Sequence, residues 1–86
     1  QGLDKAGDRL SAAIIRGGYG HCLELSGQPA EAIKNLEQSM AELTEMLGAE
    51  SPRITIVAEY LVASHEALGD EASAARYRAM LDDESP

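Results

Sequence analysis

The sequence predicts an all-α protein of two antiparallel helix pairs, and three observations carry that reading. Three Gly-marked breaks divide the 86 residues into four stretches, each long enough for a helix. Within them apolar residues recur at steps of three and four, with no run of alternating β-branched residues. Fourteen alanines supply helix propensity and side chains small enough for close helix contact, while three Tyr stand without any Phe or Trp.

The first helix, roughly 3–26, carries a stripe of Leu3, Ala6, Leu10 and Ile14. Gly17, Gly18 and Gly20 then crowd one turn, each costing about 1 kcal/mol relative to Ala in a helix interior. Either a neighbouring helix comes so close that no side chain fits, or the helix breaks and residues 2–16 form a separate piece; we expect a continuous helix. Gly27-Gln28-Pro29 ends this helix and starts the second, 29–47, with Gly suited to the left-handed turn and Pro to the first helical position. Its stripe is Ile33, Leu36, Met40, Leu43 and Leu47. Ser51-Pro52 caps the third helix, 52–68, which has one stripe of Ile54, Val57, Leu61 and Leu68 and a second of Ile56, Tyr60, Ala63 and Ala67. Two apolar sides predict an inner helix packed on both. Gly69-Asp70 opens the thin fourth helix, 70–82, with Ala72, Ala75, Ala79 and Met80 inward and Tyr77 and Leu81 flanking.

A chain of this length forms one domain with a modest core. Fifteen acids against seven bases leave a net charge of −8, which argues against nucleic acid and against anionic membrane surfaces. No apolar stretch reaches the length of a membrane span, and the N-terminus lacks a signal-peptide pattern. A single Cys22 suits a reducing, cytoplasmic compartment. Since the chain begins with Gln1, we expect it to be part of a longer protein.

The chemical candidates are few. His21 and Cys22 are adjacent, so in a helix they point about 100° apart and cannot act as base and nucleophile. Cys22 reads as a small buried hydrophobe. No His or Cys spacing collects a metal, and His65, between Leu61 and Leu68, reads as a hydrogen-bonded, part-buried residue. The Gly cluster follows no strand, so it is no phosphate cradle. No catalytic residue, cofactor or metal is expected, and the chain does not read as an enzyme.

Gly27 and Gly69 stand 42 residues apart, and sliding residues 10–44 onto 52–86 pairs Ile14 with Ile56, Glu24 with Glu66, Ala30 with Ala72 and Ala32 with Ala74. Gly20, Leu23, Gly27, Ala30, Glu31, Ala32 and Leu36, partly repeated by Leu61, Gly69, Ala72, Ala74 and Leu81, resemble the tetratricopeptide-repeat pattern. The link Leu47-Gly48-Ala49-Glu50-Ser51-Pro52 is similar to that of the 42-residue, kinesin-light-chain type. Arg16, Ala58, Val62 and Arg78 depart from the pattern. The resemblance implies repeat one over about 10–47 and repeat two over about 52–82, with residues 1–9 an extension and 83–86 a frayed tail. It also implies a scaffold that binds a protein or peptide in a groove lined by Gly17, His21, Glu24, Glu59, Tyr60, Ala63 and Glu66. The three glutamates suggest a basic partner. Two rival expectations are a helical homodimerisation module, through apolar edges left at residues 2–16 and the last helix, and a regulatory domain of an attached signalling enzyme or transcription regulator.

Overall fold

The computed structural model describes residues 5–82, and the protein is all-helical over them. Helix α1 spans Lys5–Leu25, α2 Pro29–Leu47, α3 Pro52–Ala67 and α4 Glu71–Asp82. Leu3 and the tail 83–86, to which the sequence assigned a stripe and a frayed end, lie outside the described residues. Residues 5–9 belong to α1, and the helix runs unbroken through Gly17, Gly18 and Gly20.

The contacts between α1 and α2 run in opposite directions along the two helices. Arg9 lies 3.5 Å from Glu45, Arg16 lies 3.4 Å from Glu42, and Gly20 backs onto Ala32 and Leu36. Between them the buried Ser39 hydroxyl donates to the Ala13 carbonyl at 2.7 Å. Helices α3 and α4 pair in the same antiparallel way: His65 stacks near Tyr77, Arg78 meets Glu66, and Leu81 reaches back to the cavity beside Ile54. The Cα envelope is 47 × 35 × 14 Å. An interaxial distance of 8–10 Å plus a Cα radius of about 2.3 Å on each side gives about 13–15 Å, so the short dimension is two helices deep.

The turns after α1 and α3 are closed by the same bonds. Gln28 N–H donates to Leu23 C=O at 2.8 Å and Gly27 N–H to Glu24 C=O at 3.2 Å. Forty-two residues on, Asp70 N–H donates to His65 C=O at 2.9 Å and Gly69 N–H to Glu66 C=O at 3.0 Å. This paired 6→1 and 5→2 pattern requires a left-handed residue, and Gly27 and Gly69 supply it with φ of 84° and 79°. After each turn comes a wholly buried alanine, Ala32 or Ala74.

The core gathers Ala13, Leu23, Ala32, Leu36, Leu43, Ile54, Val57 and Leu61. Several stripes read from the sequence need rotation. On α2 the buried line is Ala32, Leu36, Ser39 and Leu43, whereas Leu47 is exposed. A hydroxyl takes the central place because its bond to Ala13 satisfies it, and apolar periodicity does not register that. On α4 the buried residue is Ala74, with Tyr77 half-buried; Ala72, Ala75, Ala79 and Met80 are exposed, since α4 packs along α3 alone. Leu68 is exposed because it follows the last turn of α3. The second stripe of α3 is only partly packed: Ile56 and Ala67 are exposed, while Tyr60 and Ala63 are half-buried, Tyr60 against the His21 ring of α1. Cys22 is exposed and not a buried hydrophobe.

His65 is buried more deeply than the sequence suggested, and neither ring nitrogen makes a hydrogen bond. Its Nδ1 lies 3.4 Å from Asp70 Oδ2, close enough for an ion pair but outside hydrogen-bond geometry. Asp70 caps α4 by accepting from Ser73 N–H at 3.1 Å. Its bonds with Ser73 hold the Asp70 carboxyl below the usual carboxylate range, with His65 adding to the shift and desolvation opposing it. A carboxylate with a depressed folded pKa stabilises fully above its unfolded value, about 3.9, and loses that contribution as pH falls through the lower folded value. Asn caps as well as Asp. Asp70→Asn should therefore keep its urea midpoint at pH 7 close to that of the parent, and lose less between pH 5 and pH 2. Parallel acid limbs would refute this.

Candidate functional site

Helices α1 and α3 touch only lightly, and a cavity of about 230 Å³ lies open between them. Its floor is Gly17, Ser39, Leu43 and Val57. Ile14 forms the α1 wall, Ile56 and Tyr60 form the α3 wall, and Gly18 and Arg53 stand at the rim. The floor exists because Gly17 has no side chain: a Cβ there would meet Ser39 Oγ at 2.9 Å and Val57 Cγ2 at 3.6 Å. On α3 the wall follows from spacing, since Arg53, Ile56 or Val57, and Tyr60 fall on one face over successive turns.

One turn beyond the cavity, the His21 ring stacks on Tyr60 with centroids 3.9 Å apart and planes within 9°. Glu24 Oε1 lies 3.5 Å from His21 Nδ1, near enough for attraction should the imidazole be charged, though the nitrogen makes no hydrogen bond. The stacked Tyr60 is half-buried. Ala63 follows one turn after Tyr60, also half-buried.

The seven expected groove residues therefore separate. Gly17, His21, Glu24 and Tyr60 come together, and Ala63 continues their line. Glu59 is exposed, about 100° round α3 from Tyr60. Glu66 pairs with Arg78 across to α4. Its charge is met by a base of the same chain, and Glu59 lies off the groove line, so of the three glutamates only Glu24 stands with the groove residues.

Sequence reasoning missed Ile14, Ser39, Arg53 and Ile56 as groove residues. Ile56 was visible as part of the second α3 stripe, once that stripe is read as lining and not as packing. Arg53 carried no signal beyond its place one residue after Pro52.

A larger cavity, about 530 Å³, lies between the start of α3 and the end of α4, lined by Ile54, Thr55, Ala58, Met80 and Leu81 with Ala49 and Glu50. Among the described residues that line it there is neither a cation nor an aromatic ring, and Glu50 is the one ionisable group. Among the described residues, no group of three or more His, Cys, Asp or Glu could hold a metal ion. No helix there is long and apolar enough to cross a membrane. The His21 ring is engaged by Tyr60 and Glu24, while its neighbour Cys22 is exposed.

No family model, curated protein or solved structure matches the chain.

Proposed function

We propose that the protein is an interaction module of tetratricopeptide type, which holds a segment of a partner protein along the groove between α1 and α3. The observation that carries this reading is the open apolar cavity between α1 and α3, walled by the exposed Ile56 and by Tyr60, which is half-buried against His21. Covering such a face excludes water from apolar surface, and a half-buried tyrosine held by a stacked ring is a low-entropy anchor for a partner. A basic residue of the partner lies beside Glu24 in this arrangement. The matching turns 42 residues apart support the repeat reading, and an appended regulatory role for an attached domain is compatible with it.

A second reading has its own observation. Ile15, Tyr19 and Leu25 are 69%, 56% and 69% exposed on the outer side of α1, where Cys22 also lies, and this surface suits a second copy of the chain.

The experiment is amide and methyl chemical-shift mapping with short peptides selected from a displayed random library. Groove binding moves Gly17, Gly18, His21 and Tyr60, whereas self-association moves Ile15, Tyr19 and Leu25 with protein concentration alone. Tyr60→Ala should weaken peptide binding by at least about thirtyfold, the effect of removing an anchor worth about 2 kcal/mol, chiefly through faster dissociation. Peptides whose affinity is indifferent to Tyr60 would defeat the proposal.

A further inference from the structure

Arg53 stands apart from the other bases whose side chains are described. Arg9, Arg16 and Lys34 each face a carboxylate within 3.5 Å, Arg78 meets Glu66, and Arg76 lies over the Tyr77 ring at 5.3 Å. Among the described residues Arg53 has no such partner, in a chain where acids outnumber bases by eight. Acids are not scarce; none has been placed there. Its backbone is fixed, since Pro52 precedes it and its N–H donates to the Ser51 hydroxyl at 3.2 Å. The side chain is left exposed on the rim of the apolar cavity, about 10 Å along α3 from Tyr60.

We infer that the groove selects a partner segment in which an apolar side chain, seated against Ile56 and Tyr60, is neighboured within one helical turn by an aspartate or glutamate that reaches Arg53. This rests on the interaction reading above and names the chemistry of its partner. The cavity, at about 230 Å³, is smaller than the 300–1,000 Å³ usual for small-molecule sites and accommodates a single side chain. A guanidinium presents paired N–H donors that match a carboxylate in a bidentate bond. One cation in a protein of net charge −8 favours a monoanion over the dianion of a phosphate. The two ends of the groove thus differ in sign, Arg53 at one end and Glu24 at the other, so a bound segment has one preferred direction.

The test uses the full 86-residue chain and the displayed random library of short peptides as probe. Peptides that depend on Tyr60 are expected to carry Asp or Glu within four residues of an apolar residue. Arg53→Gln should weaken them at least tenfold, Arg53→Lys should restore part of the loss, and the affinity should fall as salt rises. Selection against Arg53→Glu should replace the acid by Lys or Arg at the same spacing, a swap that a merely structural residue does not produce. The thermal melt of Arg53→Lys should coincide with that of the parent, because the exposed side chain makes no bond in the fold. Arg53→Gln and Arg53→Glu should melt no lower, since a base in the first turn of α3 is unfavourable to the helix dipole. Tyr60-dependent peptides that are basic at that place, phosphorylated in preference to acidic, or indifferent to Arg53 would overturn the inference and leave the interaction reading standing. If no peptide depends on Tyr60, both fall.

Discussion

Leu36→Ala should cost about 2–5 kcal/mol, while Leu47→Ala should cost less than about 1 kcal/mol. Both leucines lie on the apolar stripe of α2, and periodicity alone ranks them equally. Leu36 is wholly buried, with Ala32 one turn before it and the glycine face of α1 pressed against it. Truncating it removes contacts on every side, and its neighbours are helix backbones that cannot collapse into the space. Leu47 is 41% exposed at the last residue of α2 and loses little. An 86-residue domain has a total stability of about 4–13 kcal/mol, so Leu36→Ala consumes a large share of it. Denaturant midpoints decide the matter, and similar losses for the two variants would show that the α1–α2 packing is wrong.

Gly20→Leu should cost about 3 kcal/mol or more, and Gly18→Ala should stabilise by up to about 1 kcal/mol. At Gly20 even a Cβ would stand 2.7 Å from Leu36 Cγ, 2.9 Å from Leu36 Cδ2 and 3.2 Å from the Ala32 carbonyl oxygen. A fully buried leucine and a backbone oxygen have nowhere to go, so overpacking there reaches or exceeds the top of its usual 1–3 kcal/mol range. A Cβ at Gly18 meets nothing within 4 Å, which leaves only the gain in helix propensity. Opposite signs two residues apart are the expected result in thermal melts. A stabilising Gly20→Ala would contradict the close contact between α1 and α2.

The helices and their ends were legible because their signals are local. Gly27, Pro29, Gly48, Ser51, Pro52 and Gly69 act through their own backbone geometry, and each sits where the chain turns or a helix begins. The crowded glycines were legible in a conditional form: a continuous helix required a close neighbour, and Gly20 against Leu36 is that neighbour. What stayed hidden depends on partners distant in sequence. Ser39 becomes core only through Ala13, 26 residues away. Tyr60 was read as groove-facing, but its partner His21 came from another helix, and Glu66 could not be known to spend its charge on Arg78. Arg53 is defined by the lack of a carboxylate near it, which no local pattern records.

Because α1 packs on α2, α2 on α3 and α3 on α4, with α1 and α3 in light touch, nearly all tertiary contacts join neighbours in the chain. Loop closures are short, so folding belongs to the fast, microsecond-to-millisecond regime of low contact order. Such an arrangement comes apart from its ends, since each helix pair answers mainly to the next. Helix α4, twelve residues long and held by α3 with one side-chain bond from Tyr77 to Glu37, is the end with the fewest ties. Its amides should exchange with solvent through local openings, ahead of those in α2 and α3. The groove is made by α1, α2 and α3. Opening of α4 leaves that surface intact, so occupancy of the groove and the commonest local unfolding event run on independent clocks.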